Sequence, residues 1–426
     1  MKFSIFTPTH DLSRIDTPFQ SLLNQSFKDF EWVILLNGKA LEQEEELLTS
    51  VQASELNLKI IRDETENKNI GYLKKLCCNA ASGEILVELD HDDALTPDCL
   101  EELSIAFEGG HDFCYSDDYY IEVGEDNKEK HIAPFSAQWG WKTQKDSEGN
   151  QYHPTPLPSP LAFSYIWYSP DHVRSWKKEF YDKIGGHDES LDVCDDYELL
   201  CRTYILGACH KIDKPLYKYY AYPERTSANE KNEKIQKLTH VIHDNYILGL
   251  ASKWADQNQL SKVDLCSGET LPEGFTGVDK EIFRDEKKRV VYDLNNPYWP
   301  FEDGSVGVFR AWNALGYLKD PILTMKEIYR CLADYGWAII DVPSTDGRAA
   351  FQDPQLVSFW NTNSFWYYTK SEFARLIGSP VKFQLNRADN YYPSNFEEFH
   401  NMTFAKVHLV KLPEKGFDIP MHGREI

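Results

Sequence analysis

Apolar and polar residues along the first part of the chain switch repeatedly between two periods. "KFSIFTPTHD" (2–11) is a mostly apolar run that breaks at a Pro-containing turn, and "TPFQSLLNQSF" (17–27) then spaces its apolar residues along one helical face. "FEWVILLNG" (30–38) predicts a second buried strand ending at Gly38. A helix-like acidic stretch follows, then a strand at "LKIIRD" (58–63), a helix across "GYLKKLCCNAASG" (71–83) and a strand at "EILVELD" (84–90). Strand and helix alternating in this way imply a mostly parallel sheet with helices on both faces. In such sheets ligands bind outside the carboxyl ends of the strands. The helix signalled by "TPDCLEELSIAF" (96–107) should start with Thr96 as N-cap and Pro97 at the first helical position.

From residue 124 to about 160 the pattern loosens into polar and Pro-rich sequence, which in a compact domain usually marks a functional or mobile loop. Regular structure resumes at "FSYIWYSPDHVRSWKKEFYDKIGG" (163–186) and "DDYELLCRTYILG" (195–207), a helix. "NEKIQKLTHVIHDNYILGLASKWADQNQL" (232–260) reads as one or two amphipathic helices forming a connector. A second strand–helix alternation begins at "KVDLCSGE" (262–269) and continues through "GFTGVD", "RVVYDL", "SVGVFRAW", a helix at "PILTMKEIYRCLA" (321–333) and the strand "WAIIDVP" (337–343). The fold class expected is therefore α/β, as two Rossmann-like domains at 1–228 and 262–426 joined by a helical connector at 229–261. A chain of 426 residues is long enough for two cores.

Composition narrows the function. A formal charge of −23 with no Lys/Arg run speaks against a nucleic-acid-binding surface. An anionic substrate would then need local help, which a divalent metal held by carboxylates can supply, because the ion's charge inverts the local electrostatics. Nine cysteines without a C-x-x-C pair suggest a reduced, cytoplasmic protein. No signal peptide is expected, and no window approaches the ~20 apolar residues of a membrane span.

Against that background "LVELDHDDALTP" (86–97) stands out, since it crowds Asp90, Asp92 and Asp93 at the end of a buried strand. A calcium loop of the EF-hand type would need Gly where Leu95 stands. A solvated acidic turn competes with a metal–diphosphate site. The strand-end position favours the site, where a cation would relieve the repulsion among the carboxylates.

These segments resemble, in order, a family 2 glycosyltransferase of the GT-A fold. The resemblance runs through "FSIFTPTHD", "EWVILLNG", "NIGYLKKLCCNAASGEILVELDHDDALTPDCL" and "IGGHDESLDVCDDYELLCRTYILG", over roughly the first 225 residues. It implies that Asp90, His91 and Asp92 form the D-x-D motif, with Asp90, Asp92 and Asp93 holding Mn²⁺ or Mg²⁺. It implies donor contacts at Pro8, Thr9, Asn37, Lys74 and Asp90. It also implies that Asp195 and Asp196 form the E-D motif, whose Asp acts as general base; the competing reading of this pair is a helix N-terminus decorated with acids. Leu36 and Asn37 replace the acid that usually reads the base, and Tyr222 stands near the place of a metal-binding His. The partners implied are a nucleotide-sugar donor and a glycan or glycolipid acceptor.

"VDLCSGETLPEGFTGVD" (263–279) resembles the opening of a class I methyltransferase using S-adenosylmethionine, which implies cofactor contacts at Asp264, Gly268 and Asp279, and at Asp293 in "YDLNNPYWPFEDGSVG". "EIYRCLADYGWAIIDVPS" resembles a helix and strand of the same family. Cys266 stands where that family has Gly, and Gly307 and Gly316 replace an Asp and a His. The aromatic-rich "STDGRAAFQDPQLVSFWNTNSFWYYT" (344–369) is either a packed loop with Trp360 and Trp366 in the core or a wall of an acceptor pocket. The expectation is an inverting, metal-dependent glycosyltransferase with a second, methyltransferase-like domain. Its alternatives are a non-catalytic glycan- or nucleotide-binding scaffold, a glycosyltransferase with a degenerate second domain, or a metal-dependent nucleotidyltransferase or phosphohydrolase.

Overall fold

The computed structural model describes residues 2–45, 56–65, 69–124, 126, 128–132, 143–152, 154–165, 169–222, 228–281 and 288–413. The chain divides into two compact units, Met1–Tyr246 and a second beginning at Ile247. The boundary falls inside a single helix, Ala228–Gln257.

In the first unit β1 (Phe3–Thr9), β2 (Phe30–Leu36), β3 (Leu58–Arg62) and β4 (Ile85–Glu88) pair in parallel in the order β3-β2-β1-β4. β2 is buried at every position, as a central strand covered on both faces must be. Helices Asp16–Leu23 and Ile70–Ala80 follow β1 and β3, and Phe19 and Leu22 of the former join Phe3, Ile5, Trp32 and Ile34 in one core. The acidic stretch expected to be helical runs mostly through 46–55, outside the described residues.

Beyond β4 the sheet departs from the parallel expectation. β5 (Ala94–Leu95), β6 (Phe113–Val123), β7 (Glu129–His131), β8 (Gln144–Lys145), β9 (Gln151–Tyr152), β10 (Ser175–Lys177) and β11 (Cys209–Ala221) follow in the chain. The sheet continues β4-β10-β6-β11-β5, with β10 antiparallel to both neighbours and β5 antiparallel to β11. The sheet is mixed because two- and three-residue strands are inserted into it, and segments that short carry no readable period. The Thr96 cap is likewise displaced. Its N–H donates to the Leu216 carbonyl at 2.9 Å, prolonging the β5–β11 pairing, so the helix starts at Cys99 with Asp98 as N-cap.

The second unit holds β12 (Ser261–Leu265), β13 (Thr276–Asp279), β14 (Arg289–Val291), β15 (Val306–Trp312), β16 (Leu332–Pro343), β17 (Gln384–Tyr391) and β18 (Phe404–Val410). Their order is β14-β13-β12-β15-β16-β18-β17. The first five are parallel, and β18 runs antiparallel to β16 and β17. Helix Pro321–Cys331 joins β15 to β16, capped by Asp320, which accepts from the N–H groups of Ile322 and Leu323. Trp360 belongs to this unit's core, whereas Trp366 is half-buried with the Lys370 ammonium 4.4 Å above its ring.

Candidate active site

β4 delivers the acidic turn to the carboxyl edge of the first sheet. Leu89 N–H still donates to the Phe6 carbonyl, and the chain then turns, with Asp93 N–H reaching the Asp90 carbonyl at 3.3 Å. Asp93 points inward. Its carboxylate is buried, accepts from Tyr217 Oη–H at 2.9 Å and Tyr220 N–H at 2.8 Å, and is pushed well above the usual carboxylate range by burial and by Asp90 and Asp92. Tyr217 Oη in turn accepts from Asp90 N–H at 3.2 Å. Asp93 thus pins the turn to β11. Asp92 faces the open side, 3.9 Å from the Arg14 guanidinium, which itself lies 3.5 Å over the Tyr222 ring. Asp90, Asp92 and Asp93 form no three-membered cage: among the described residues their ligand atoms do not all come within 4.8 Å of one another.

A second charge cluster lies beneath this turn, with Lys74 at its centre. Helix Ile70–Ala80 buries the Lys74 ammonium 2.6 Å from Glu88 and 3.2 Å from Asp195. Burial alone would lower the Lys74 pKa, but Asp195, Glu88, Asp90 and Asp196 hold it well above its ordinary value. Lys74 therefore ties the end of β4, at Glu88, to Asp195, with Asp90 and Asp196 close enough to add to the stabilisation of its charge. Its site differs from an open contact with a nucleotide base.

Arg174, also buried, holds the other side. It donates to Asp196 at 2.8 Å and to the Pro170 carbonyl at 3.0 Å, and lies 3.7 Å from Glu88 and 4.0 Å from Asp171. The two neighbouring aspartates are consequently driven apart. Burial raises Asp195 to about 6 in spite of Lys74. Asp196 feels the same burial, yet Arg174 and Lys74 outweigh it and keep its carboxyl below the usual range. Asp196 lies in the first turn of helix Asp195–Leu206, accepts from Tyr197 N–H at 2.7 Å, and leaves 20% of its side chain exposed, against 5% for Asp195. Of the pair, Asp196 is the more exposed and the one whose ionised form its surroundings favour more strongly. His172 and His187 nearby are held neutral, at about 3, chiefly by burial.

At the ends of β1 and β2, Asn37 N–H donates to the Thr9 carbonyl at 3.0 Å, and Thr9 Oγ1–H to the Asp11 carbonyl at 2.8 Å. Pro8, Thr9 and Asn37 thus share one sheet edge. Asp63, buried at the end of β3, adds a carboxylate there that binds Thr65.

Reasoning from the sequence missed Glu88, Arg174, Asp171 and Tyr217. Glu88 had a signal, since it is a charge inside an otherwise apolar strand. Arg174 had none, because its partners lie on β4, on the loop before β10 and on a helix more than twenty positions away.

In the second unit, Gly268 N–H donates to Asp279 at 3.1 Å, bringing together two of the residues proposed to contact a cofactor. Gly268 has φ +51° and open space where a Cβ would stand. Arg289 donates to Ser267 Oγ and the Gly268 carbonyl at 2.7 and 2.6 Å. Asp264 is committed elsewhere, with both oxygens accepting from Arg310 at 2.9 and 2.8 Å, and burial lifts it to about 6. Asp293 is exposed and bonded to Asn295. No helix among the described residues is long and apolar enough to cross a membrane.

Comparison with known proteins bears on the first unit. Residues 4–166 match the family described as "Glycosyl transferase family 2". An uncharacterized glycosyltransferase of Methanocaldococcus jannaschii is 25% identical over 210 residues, 47% of this chain and 70% of that protein. One of Haemophilus influenzae is 23% identical over 252 residues, 57% of this chain and 76% of its own length. Among solved structures, residues 1–349 of S. aureus TarS in complex with UDP-GlcNAc are 17% identical, covering 61% of this chain and 73% of that one at a TM-score of 0.44. Residues 4–166 are thus similar to a glycosyltransferase family 2 domain, and the chain is an enzyme of the transferase class.

Proposed function

We propose that the first unit moves a glycosyl group from a nucleoside-diphosphate sugar to a hydroxyl of a glycan, in a single displacement with inversion. The observation that carries this reading is that two acidic segments about a hundred positions apart converge on one buried ammonium, Lys74, which pairs with Glu88 and Asp195 and whose charge Asp90 and Asp196 also stabilise. The upper motif suits the leaving diphosphate, and the lower supplies a carboxylate that stays ionised for the incoming hydroxyl.

Asp92, with Asp90 beside it, would hold Mg²⁺ or Mn²⁺. The donor set fits, being oxygen-only and short of a full cage, as expected for a hard cation that completes its shell with phosphate and water. When bound, such an ion supplies positive charge to the diphosphate as it leaves. Arg14, braced on Tyr222, is placed to share that charge. Asp93 and Tyr217 hold the turn in register. Asp196 takes the proton of the acceptor hydroxyl as it attacks, and Arg174 keeps that carboxylate aimed and charged. Pro8, Thr9 and Asn37 form the edge that receives the nucleotide.

For the second unit we infer a class I methyltransferase-like fold. Its support is the strand order, five parallel strands flanked by an antiparallel pair, together with the Gly268–Asp279 contact. Asp264 is buried and engaged through both oxygens by Arg310, so Gly268 and Asp279 carry this reading rather than Asp264.

Calorimetric titration of nucleoside diphosphates, with and without Mn²⁺, into wild type and Asp92→Asn tests the first reading. Metal-dependent binding of one nucleotide that the variant loses is expected, and equal binding by both proteins refutes it. S-adenosylmethionine titrated into the same full chain tests the second, where absence of heat removes methylation from the proposal.

A further inference from the structure

We propose that the second unit carries its own saccharide-binding pocket, selective for a sugar bearing an anionic group. The pocket, about 1030 Å³, lies between the turn that follows β16 and the short helix Asn395–Phe399 with its exit turn; Arg348, Phe351, Gln352, Phe396, His400 and Asn401 line it. None of the residues that resemblance assigns to a cofactor lines it, and it sits where β16 ends and β18 begins.

The walls are fixed to each other by backbone. Arg348 N–H donates to the Asn401 carbonyl at 2.7 Å and Ser344 N–H to the Thr403 carbonyl at 2.9 Å. Gly347 lies so close that a Cβ there would stand 2.4 Å from Thr403 Oγ1. The pocket is thus preformed, which spares a ligand the cost of ordering it.

Two features of the lining point to the ligand. Phe351 stacks on Phe359 with centroids 5.6 Å apart and still exposes 65% of its surface, and Phe396, packed on His400, exposes 61%. Exposed aromatic faces interleaved with Gln352, Asn401 and Asp346 offer both C–H stacking and hydrogen bonding, the pairing that a pyranose ring needs. The second feature is Arg348. In a chain with 68 Asp and Glu against 45 Lys and Arg, its guanidinium has no ion pair or side-chain hydrogen bond to another described residue. An exposed arginine without a partner among the described residues, lining a concave aromatic site, offers a fork for a carboxylate or phosphate, and Asp346 in the same lining accepts from Asn390 at 2.8 Å. The choice of a saccharide rests on the glycosyltransferase reading of the first unit. The anionic selectivity rests on Arg348 alone.

The test titrates three probes into the full chain: a uronic-acid trisaccharide, its neutral methyl ester and a phosphorylated saccharide of similar size. Wild type should bind at least one acidic probe about tenfold more tightly than the ester, and both Arg348→Gln and Phe351→Ala should lose about tenfold of that affinity. A preference for the carboxylate over the phosphate, or the reverse, identifies the anionic group. Binding of none of the probes, or affinities unchanged in both variants, overturns the proposal. Nucleoside-diphosphate binding measured on the same preparations separates the two readings. Its loss with saccharide binding retained removes the glycosyltransferase reading only, and the reverse removes the pocket only.

Discussion

Replacing Arg174 with Met tests whether this residue sets the charge state of the lower cluster. The guanidinium is 2% exposed and serves Asp196 at 2.8 Å, Glu88 at 3.7 Å and Asp171 at 4.0 Å. Removing one partner of a buried ion pair costs roughly 3–5 kcal/mol, mostly for the charge left behind. Glu88 keeps Lys74 at 2.6 Å, and Asp196 and Asp171 retain 20% and 24% exposure through which water relieves them. The cost should therefore sit at the low end, about 3 kcal/mol, or roughly 6–12 °C in Tm for a unit of this size. Its dependence on pH is the sharper test. In wild type Arg174 helps hold Glu88 and Asp196 below their ordinary values, so their stabilisation is present above the unfolded pKa and fades as pH falls through the folded one. In the variant burial dominates, the Asp196 pKa rises, and the folded state takes up a proton that relieves the penalty as pH falls. The gap between the two proteins should be widest near pH 8 and shrink toward pH 5. Urea unfolding across that range, followed by tryptophan fluorescence, measures it. A gap that does not change with pH, or one under about 1 kcal/mol at pH 8, would refute the assignment.

Other outcomes follow from the same geometry. Asp196→Asn should lower kcat about 10²- to 10⁴-fold with donor affinity nearly unchanged, and an equal loss in both would move Asp196 from base to binding residue. Asp92→Asn should abolish metal-dependent nucleotide binding at little cost in melting temperature, whereas Asp93→Ala, which strands Tyr217 and Tyr220 N–H, should cost about 1–3 kcal/mol of stability; thermal melts and calorimetry on the pair check the split. Arg14→Gln should raise the donor KM about tenfold and leave kcat within a factor of a few, read by steady-state kinetics. Gly71→Ala would set a Cβ 2.0 Å from the Asp188 carbonyl, so a lowered Tm is expected, and an unchanged melt contradicts that packing.

Local sequence determined the elements wherever a period was long enough to read. β1, β2 and β4 announce themselves as apolar runs, helices Ile70–Ala80 and Asp195–Leu206 as periodic faces, and the acidic turn by its place after a buried strand. What sequence could not assign was direction and partnership. β10, three residues long, gives no signal that it runs against its neighbours, and Thr96 gives none that Leu216 will claim its N–H. Nor could local pattern sort the acids by role. Asp92 and Asp93 are adjacent and chemically identical, yet one faces Arg14 and the other is buried under Tyr217. Asp195 and Asp196 differ in exposure and in the cation each pairs with, Lys74 or Arg174. Ionisation depends on burial and on charges a few ångströms away in space, whereas sequence reports only neighbours along the chain. The chain thus wrote its acidic motifs locally, and tertiary packing alone decided which carboxylates are buried against protein partners and which stay exposed.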